Sequence, residues 1–252
     1  MSETRLGLAL GGGAALGAAH IGVLRALAER DIQPEIVTGT SAGALVGAAF
    51  AADLPLDLIE EKVRAANWAT FGKLTLTPRL ALLDTSVLAE SVSVLGENPR
   101  IENLPRRFGA VATDVRTRTA VVLTHGPLDL ALRASIAVPG LFSPVSWRGR
   151  LLVDGGLTDN LPITPARKLG ADIVIAVRLR PSWEWPVIGR TTAATVTAAR
   201  HDSTTVVVEP DLRRLSQWSR TDVPRIIDAG RHAADLALSQ FDNEIGDRDR
   251  AS

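Results

Sequence analysis

Residues 37 to 47 read VTGTSAGALVG and set Ser41 between Gly39 and Gly43 in the pattern Gly-x-Ser-x-Gly. An apolar strand leads into the serine and a helix follows it at once. The hydroxyl therefore stands at a sharp corner, a setting that suits a nucleophile for acyl transfer. The flanking glycines remove Cβ atoms that would collide as the chain reverses. The competing use of such a serine is to cap the helix by accepting a hydrogen bond from a free amide. A second stretch, LLVDGGLTDNLP, ends an apolar strand on Asp154 with Gly155 and Gly156 behind it. A carboxylate within hydrogen-bond reach of a serine hydroxyl, and partly shielded from water, can take its proton. Asp-Gly is also a common turn pair, and Asp159 nearby fits that turn or capping use better.

The third chemical element is Gly11-Gly12-Gly13, between a first strand and a helix. Bare backbone N–H groups in such a loop can face a developing oxyanion, where one donor is worth roughly 2.7–4 kcal/mol. A phosphate cradle is the rival use. It lacks the acidic residue expected after the second strand, which ends Val37-Thr38-Gly39-Thr40, and no Gly-Lys-Ser/Thr follows. The base could in principle be one of four histidines, His20, His125, His201 and His232. None lies on a loop after the last strand, where a triad of the serine-acid-histidine order would need it. The sequence therefore points to Asp154 as the base and to structural roles for the histidines.

The elements that must position these groups alternate strand with helix. Strands are expected at Leu6 to Leu10, at Ile36-Val37 running into the serine turn, in FGAVATDV, TAVVLTH, RLLVDGG and ADIVIAVRL, and last in TTVVVEP. Helices are expected after the glycine loop, with Ile21, Leu24 and Leu27 on one face, over Ala42 to Ala52, in segments between Leu56 and Leu95, in PLDLALRASIA and PITPARKLG, and from Val223 to Phe241. Wholly apolar strands between helices imply a largely parallel sheet covered on both faces. One domain over residues 1–252 is the simplest organisation, with a core over about 6–179, a helical C-terminal part over 190–241 and a frayed tail over 242–252.

Composition narrows the class. Twenty-eight basic residues balance 28 acidic ones, which argues against a nucleic-acid partner. The chain has no cysteine, so thiolate catalysis and cysteine-bound metals are excluded. Mean hydropathy is +0.13. The apolar stretch from Leu6 to Ala19 resembles a signal-peptide core, but three glycines interrupt it and Glu3 offsets Arg5, so a cytoplasmic protein is expected. No apolar run approaches the ~20 residues that span a bilayer.

Taken together, the blocks LALGGGAALGAAHIGVL, GTSAGAL, LRASIAVPGLFSPV and LLVDGGLTDNLP resemble those of the patatin-like phospholipase family, in order and spacing, from Leu6 to Leu179. The likeness is closest to its short, single-domain bacterial members. It implies a three-layer α/β/α sandwich and hydrolysis of lipid acyl esters by a Ser-Asp dyad, with no cofactor, no metal and no histidine in the chemistry. On this resemblance Ser41 is the nucleophile and Asp154 the general base, and the amides of Gly11, Gly12 and Gly13 form the oxyanion hole. The substrate is a lipid or ester, a phospholipid, lysophospholipid or simpler carboxylic ester. Acyl transfer to another acceptor, or a lipid-binding module without turnover, are the alternatives. One departure stands out. The basic residue usual before the loop's last glycine is here Leu16, before Gly17.

Contact with a membrane periphery would accompany such a substrate. Trp183 and Trp185 fit an interfacial contact or a plug of the domain rim equally well. The helical segments from Leu56 to Leu95 can cover an acyl-chain cleft or simply build core. Arginines 100, 106, 107, 116 and 118 can meet anionic headgroups, though a solvated face is the ordinary outcome for such scatter.

Overall fold

The computed structural model describes residues 4–65, 99–180, 186–216 and 220–251. Trp183, Trp185 and most of the Leu56 to Leu95 segment lie outside them. Eight strands form one sheet: β1 (Leu6–Leu10), β2 (Ile36–Thr40), β3 (Arg107–Asp114), β4 (Thr119–Leu123), β5 (Val145–Trp147), β6 (Arg150–Asp154), β7 (Ile173–Val177) and β8 (Thr205–Val208). The order is β5-β6-β3-β2-β1-β7-β8, with β4 also paired to β3. The five strands β3, β2, β1, β7 and β8 are mutually parallel, β4 and β6 run antiparallel to β3, and β5 pairs antiparallel with β6. The expected parallel sheet is thus the core, and an antiparallel margin extends it on one side.

Among the described residues seven helices accompany the sheet: α1 (Ala19–Ala28), α2 (Ala42–Ala51), α3 (Leu56–Ala65), α4 (Leu128–Ser135), α5 (Ile163–Lys168), α6 (Pro186–Arg200) and α7 (Val223–Ala251). Because side chains alternate along a strand, β1 sends Leu8 and Leu10 to one core and Ala9 to another, and β7 splits Ile175 and Val177 from Val174 and Ala176 in the same way. Among the helices that complete them, α1 and α7 contribute most to the first core and α5 and α6 to the second. A third cluster joins α2 and α4 to β2, β3 and β6. Helices therefore cover both faces, giving three layers. Helices α1 and α7 meet at glycines: a Cβ on Gly22 would strike the Ile227 carbonyl, and one on Gly230 the Ala19 carbonyl.

Two features differ from the sequence expectation. Strand β5, only three residues long, pairs with β6 through a turn at Arg148 and Gly149, both with positive φ, 45° and 77°. Such a two-residue turn matches the twist of a hairpin, but the Arg-Gly pair gives little sign of it. Helix α7 also runs to Ala251, past Phe241 and through the tail expected to fray. No proline interrupts the sequence after Pro224, so nothing in the backbone forces an earlier end.

The margin of the sheet decides the site. β3 pairs with β2 over Arg107 to Val111 and with β6 over Ala112 to Asp114, while β4 occupies residues 110–114. A strand has two edges, so β6 must share the edge used by β2 and continue it where β2 stops. Thr40 lies opposite Val111 and Asp154 opposite Ala112. The residue after Thr40 and the last residue of β6 are thereby brought together, although they are far apart in the chain.

Candidate active site

Ser41 has φ 53° and ψ −121°, a conformation that L residues rarely adopt. It precedes α2, yet its hydroxyl makes no capping hydrogen bond. The capping use is therefore not the one the hydroxyl serves in this fold. The corner is held from outside. Ser135, at the end of α4 and fully buried, accepts a hydrogen bond from Ser41 N–H at 3.0 Å and donates one to the Val111 carbonyl at 2.6 Å. Gly39 and Gly43 let α2 sit directly on the strand ends, since a Cβ on Gly39 would strike the backbone of Gly43 and Ala44, and one on Gly43 the Leu10 carbonyl.

Asp154 ends β6 with its backbone fastened on both sides. Its N–H donates to the Ala137 carbonyl at 2.9 Å, and its carbonyl accepts from Thr113 Oγ1 at 2.8 Å. The carboxyl is buried. Oδ1 accepts the Gly156 N–H at 2.7 Å, and Oδ2 has no partner of ordinary hydrogen-bond geometry. Burial pushes the carboxyl up from 3.8 to about 6, against the opposing pull of the Gly156 amide and of the Ser41 hydroxyl. The hydroxyl is thus near enough to favour the charged carboxylate without closing a normal bond to Oδ2. No imidazole is among the polar neighbours of Asp154.

The chain after Asp154 is stitched to β2 by two buried threonines. Thr38 Oγ1 donates to the Pro162 carbonyl and Thr40 Oγ1 to the Asp159 carbonyl, each at 2.8 Å. This sets Asn160 between the glycine loop and the aspartate loop. A Cβ on Gly12 would meet Asn160 Oδ1 at 2.5 Å and Ser41 Cβ at 3.3 Å, and one on Gly156 would meet the same Oδ1 at 3.0 Å. Burial also raises the Asp159 carboxyl to about 6, while the Leu161 amide opposes that shift, which fits a capping carboxyl.

The glycine loop lies beside Ser41, but its amides are unequal. Gly11 N–H donates to the Val177 carbonyl at 2.9 Å and Gly12 N–H to the Asn160 carbonyl at 3.2 Å. Only Gly13 N–H has no partner among the described residues. The expectation of three available donors is corrected in this state: parallel pairing with β7 and the Asn160 turn occupy two of them. His20 is fully buried, with Nε2 2.8 Å from the Gly11 carbonyl. A carbonyl can only accept, so Nε2 carries the proton. Burial lowers this imidazole from 6.5 to about 4. His20 is a strut for the loop. His125, His201 and His232 are exposed. Leu16 is buried in the core with α1, and Gly17 beside it packs on Ala42.

Sequence reasoning missed Ser135 and Asn160. A serine on the otherwise apolar buried face of an amphipathic helix was the available signal for the first. Nothing in DNLP marked Asn160 apart from an ordinary turn.

Comparison with known proteins follows this geometry. The sequence model for Patatin-like phospholipase matches residues 8–167. An NTE family protein of Mycobacterium tuberculosis is 42% identical over 196 residues, covering 73% of this chain and 52% of that protein. A patatin-like phospholipase domain-containing protein of Caenorhabditis elegans is 40% identical over 186 residues, 70% of this chain and 14% of its own length. The chain thus spans about half the length of the mycobacterial relative. Among solved structures, VipD from Legionella pneumophila superposes with a TM-score of 0.57 at 13% identity, over 95% of this chain and 67% of VipD. The type III effector protein ExoU superposes at 0.54 and 16% identity, over 95% of this chain and 53% of ExoU. At these identities the two structures speak for the fold alone.

Proposed function

The chain belongs to the patatin-like phospholipase family, and from that premise we propose that it is a serine hydrolase of lipid carboxylic esters working through a Ser41-Asp154 dyad. The observation that carries this reading is a strained, uncapped serine hydroxyl beside a buried carboxyl with one unpartnered oxygen. In the proposed course Asp154 accepts the Ser41 proton as Oγ attacks the ester carbonyl. The tetrahedral oxyanion is met by the Gly13 N–H, and the N-terminus of α2 adds its positive dipole end. Collapse expels the alcohol, which takes the proton from Asp154 and leaves an acyl-serine. A water then gives its proton to Asp154, attacks the acyl group and releases the acid, restoring both residues.

A carboxyl titrating near 6 is a usable base at neutral pH, because it is ionised there yet more basic than an ordinary aspartate. The departure at Leu16 leaves the Gly13 backbone donor in place and removes a fixed charge, so neutral esters are as suitable as phosphate-bearing lipids. A fluorophosphonate probe tests the nucleophile: the wild type should label and Ser41→Ala should not. An unlabelled wild type would favour a lipid-binding module. Assays on p-nitrophenyl esters, lysophospholipids and diacyl phospholipids then define the substrate, and product analysis with alcohol acceptors separates hydrolysis from acyl transfer.

A further inference from the structure

Two hairpin tips project from the end of the sheet that holds Ser41. β3 and β4 close at residues 115–118, and β5 and β6 close at Arg148 and Gly149. The β3–β6 ladder ties the tips together, with Asp114 opposite Leu152 and Val115 N–H donating to the Leu151 carbonyl at 2.9 Å. Residues 115–120 and 148–151 are all exposed. The sequence makes this surface one-signed: from Val115 to Leu128 and from Ile136 to Val153 there is no aspartate or glutamate, while Arg116, Arg118, Arg148 and Arg150 all fall in the tips.

The carboxylate that faces them is Asp114, which is buried. Arg150 reaches it at 3.5 Å, and it also accepts the backbone N–H of Arg116 and Thr117. Arg116, Arg118 and Arg148 form no ion pair among the described residues. The other arginines of the earlier scatter are engaged elsewhere. Arg100 pairs with Glu102, Arg106 lies over the Phe50 ring and pairs with Asp53, and Arg107 donates to the Leu169 carbonyl. Between the four tip arginines, Val115 and Leu151 are 44% and 47% exposed, and only Leu236 joins them as an exposed large hydrophobic among the described residues.

We propose that these paired tips are a docking surface for a membrane of anionic phospholipid, with Arg116, Arg118, Arg148 and Arg150 meeting headgroup phosphates and Val115 and Leu151 entering at the headgroup level. Guanidinium groups match phosphate oxygens geometrically, and apolar side chains set among them suit a lipid surface, whose boundary is both anionic and oily. A nucleic-acid site would use aromatic stacking or a broad basic field instead. The tips hold no Phe or Trp between Val115 and Arg118 or between Arg148 and Leu151, and the chain as a whole is electrically balanced. Position fits as well. Arg150 precedes Asp154 by one stretch of extended strand, about 13 Å at ~3.3 Å per residue. Docking there would bring the mouth of the site to the lipid surface. The inference concerns binding and holds whether or not Ser41 turns over.

The test is flotation of the full chain with vesicles of phosphatidylcholine alone and of phosphatidylcholine with phosphatidylserine. The wild type should bind the anionic vesicles, more weakly as salt rises, and leave the neutral ones unbound. At about fivefold per arginine, the variant Arg116→Gln/Arg118→Gln/Arg148→Gln/Arg150→Gln should lose at least a hundredfold in affinity. Should it fail to fold, Arg116→Gln/Arg118→Gln, confined to an exposed turn, should still lose about twenty-fivefold. Both should hydrolyse a soluble p-nitrophenyl ester like the wild type, which separates a lost surface from a lost site. Equal binding to neutral vesicles, undiminished binding by the folded variants, or tighter binding to a DNA duplex than to vesicles at matched salt would each overturn the proposal.

Discussion

Replacing Asp154 with asparagine keeps the shape of the side chain and removes its charge, so it separates what the carboxyl does for chemistry from what it costs the fold. In the unfolded chain the group titrates near 3.8, and in the fold it holds its proton up to about 6. Between those values the folded state binds the extra proton, so stability falls as pH rises through the window and the full penalty applies above it. At 1.36 kcal/mol per pH unit, a rise from 3.8 to about 6 sets roughly 3 kcal/mol against the fold at pH 8. Asparagine keeps an acceptor for Gly156 N–H and offers Ser41 Oγ a donor where Oδ2 now has no ordinary partner. The variant should therefore be more stable than the wild type by about 1–3 kcal/mol at pH 8, a rise in Tm of several degrees, with the difference shrinking toward zero by pH 4. It should also be inactive, since an amide cannot take the serine proton. Calorimetry at pH 4 and pH 8, beside ester hydrolysis, measures both effects. A variant equally stabilised at both pH values, or no more stable at pH 8, would show that burial does not hold the carboxyl neutral. Retained turnover would move the base elsewhere. Asp159→Asn is the control, because its carboxyl is also raised to about 6. It should share the gain in stability and keep turnover.

Three further outcomes rest on the site's supports. Ser135→Ala removes the bridge between Ser41 N–H and the Val111 carbonyl, leaves that buried carbonyl short of a donor, and should cost about 1–3 kcal/mol in urea unfolding. If Ser135 positions the nucleophile, kcat should fall about tenfold or more with KM little changed, whereas a purely structural role would leave kcat alone. His20→Ala empties a buried site and frees the Gly11 carbonyl, which should cost about 2–4 kcal/mol. The surviving folded enzyme should keep an activity profile rising through pH 6, because no proton moves through that imidazole; a displaced midpoint would implicate it. Leu16→Arg places a charge in the core beside α1 and should lower Tm sharply. An unchanged Tm with a new preference for phosphate-bearing lipids would show that the loop accommodates the basic residue after all.

The split between what could be read and what had to be seen follows the range of the physics. The glycine loop, the serine corner and the strand ending on Asp154 were legible because each is set by neighbours in sequence: glycines where a Cβ cannot fit, apolar runs that must be buried, a helix that starts at once. Helix α7 was legible in kind and not in length, since fraying depends on balances too small for pattern to settle. Strand β5 was missed because three residues carry almost no periodicity. Which amides of the glycine loop stay free was hidden altogether, for it depends on Val177 and Asn160, residues remote in sequence that claim two of the three. The same holds for Ser135, which accepts the Ser41 N–H, and for the shared edge of β3 on which Thr40 and Asp154 occupy successive registers. Hydrogen bonds between distant segments obey register, and register is a property of the assembled sheet. Sequence alone therefore determined the local turns that present Ser41, Asp154 and the glycine loop; the assembled sheet decided that Thr40 and Asp154 lie opposite successive residues of β3, that Gly13 N–H is left without a partner among the described residues, and that four arginines from separate hairpins share one surface.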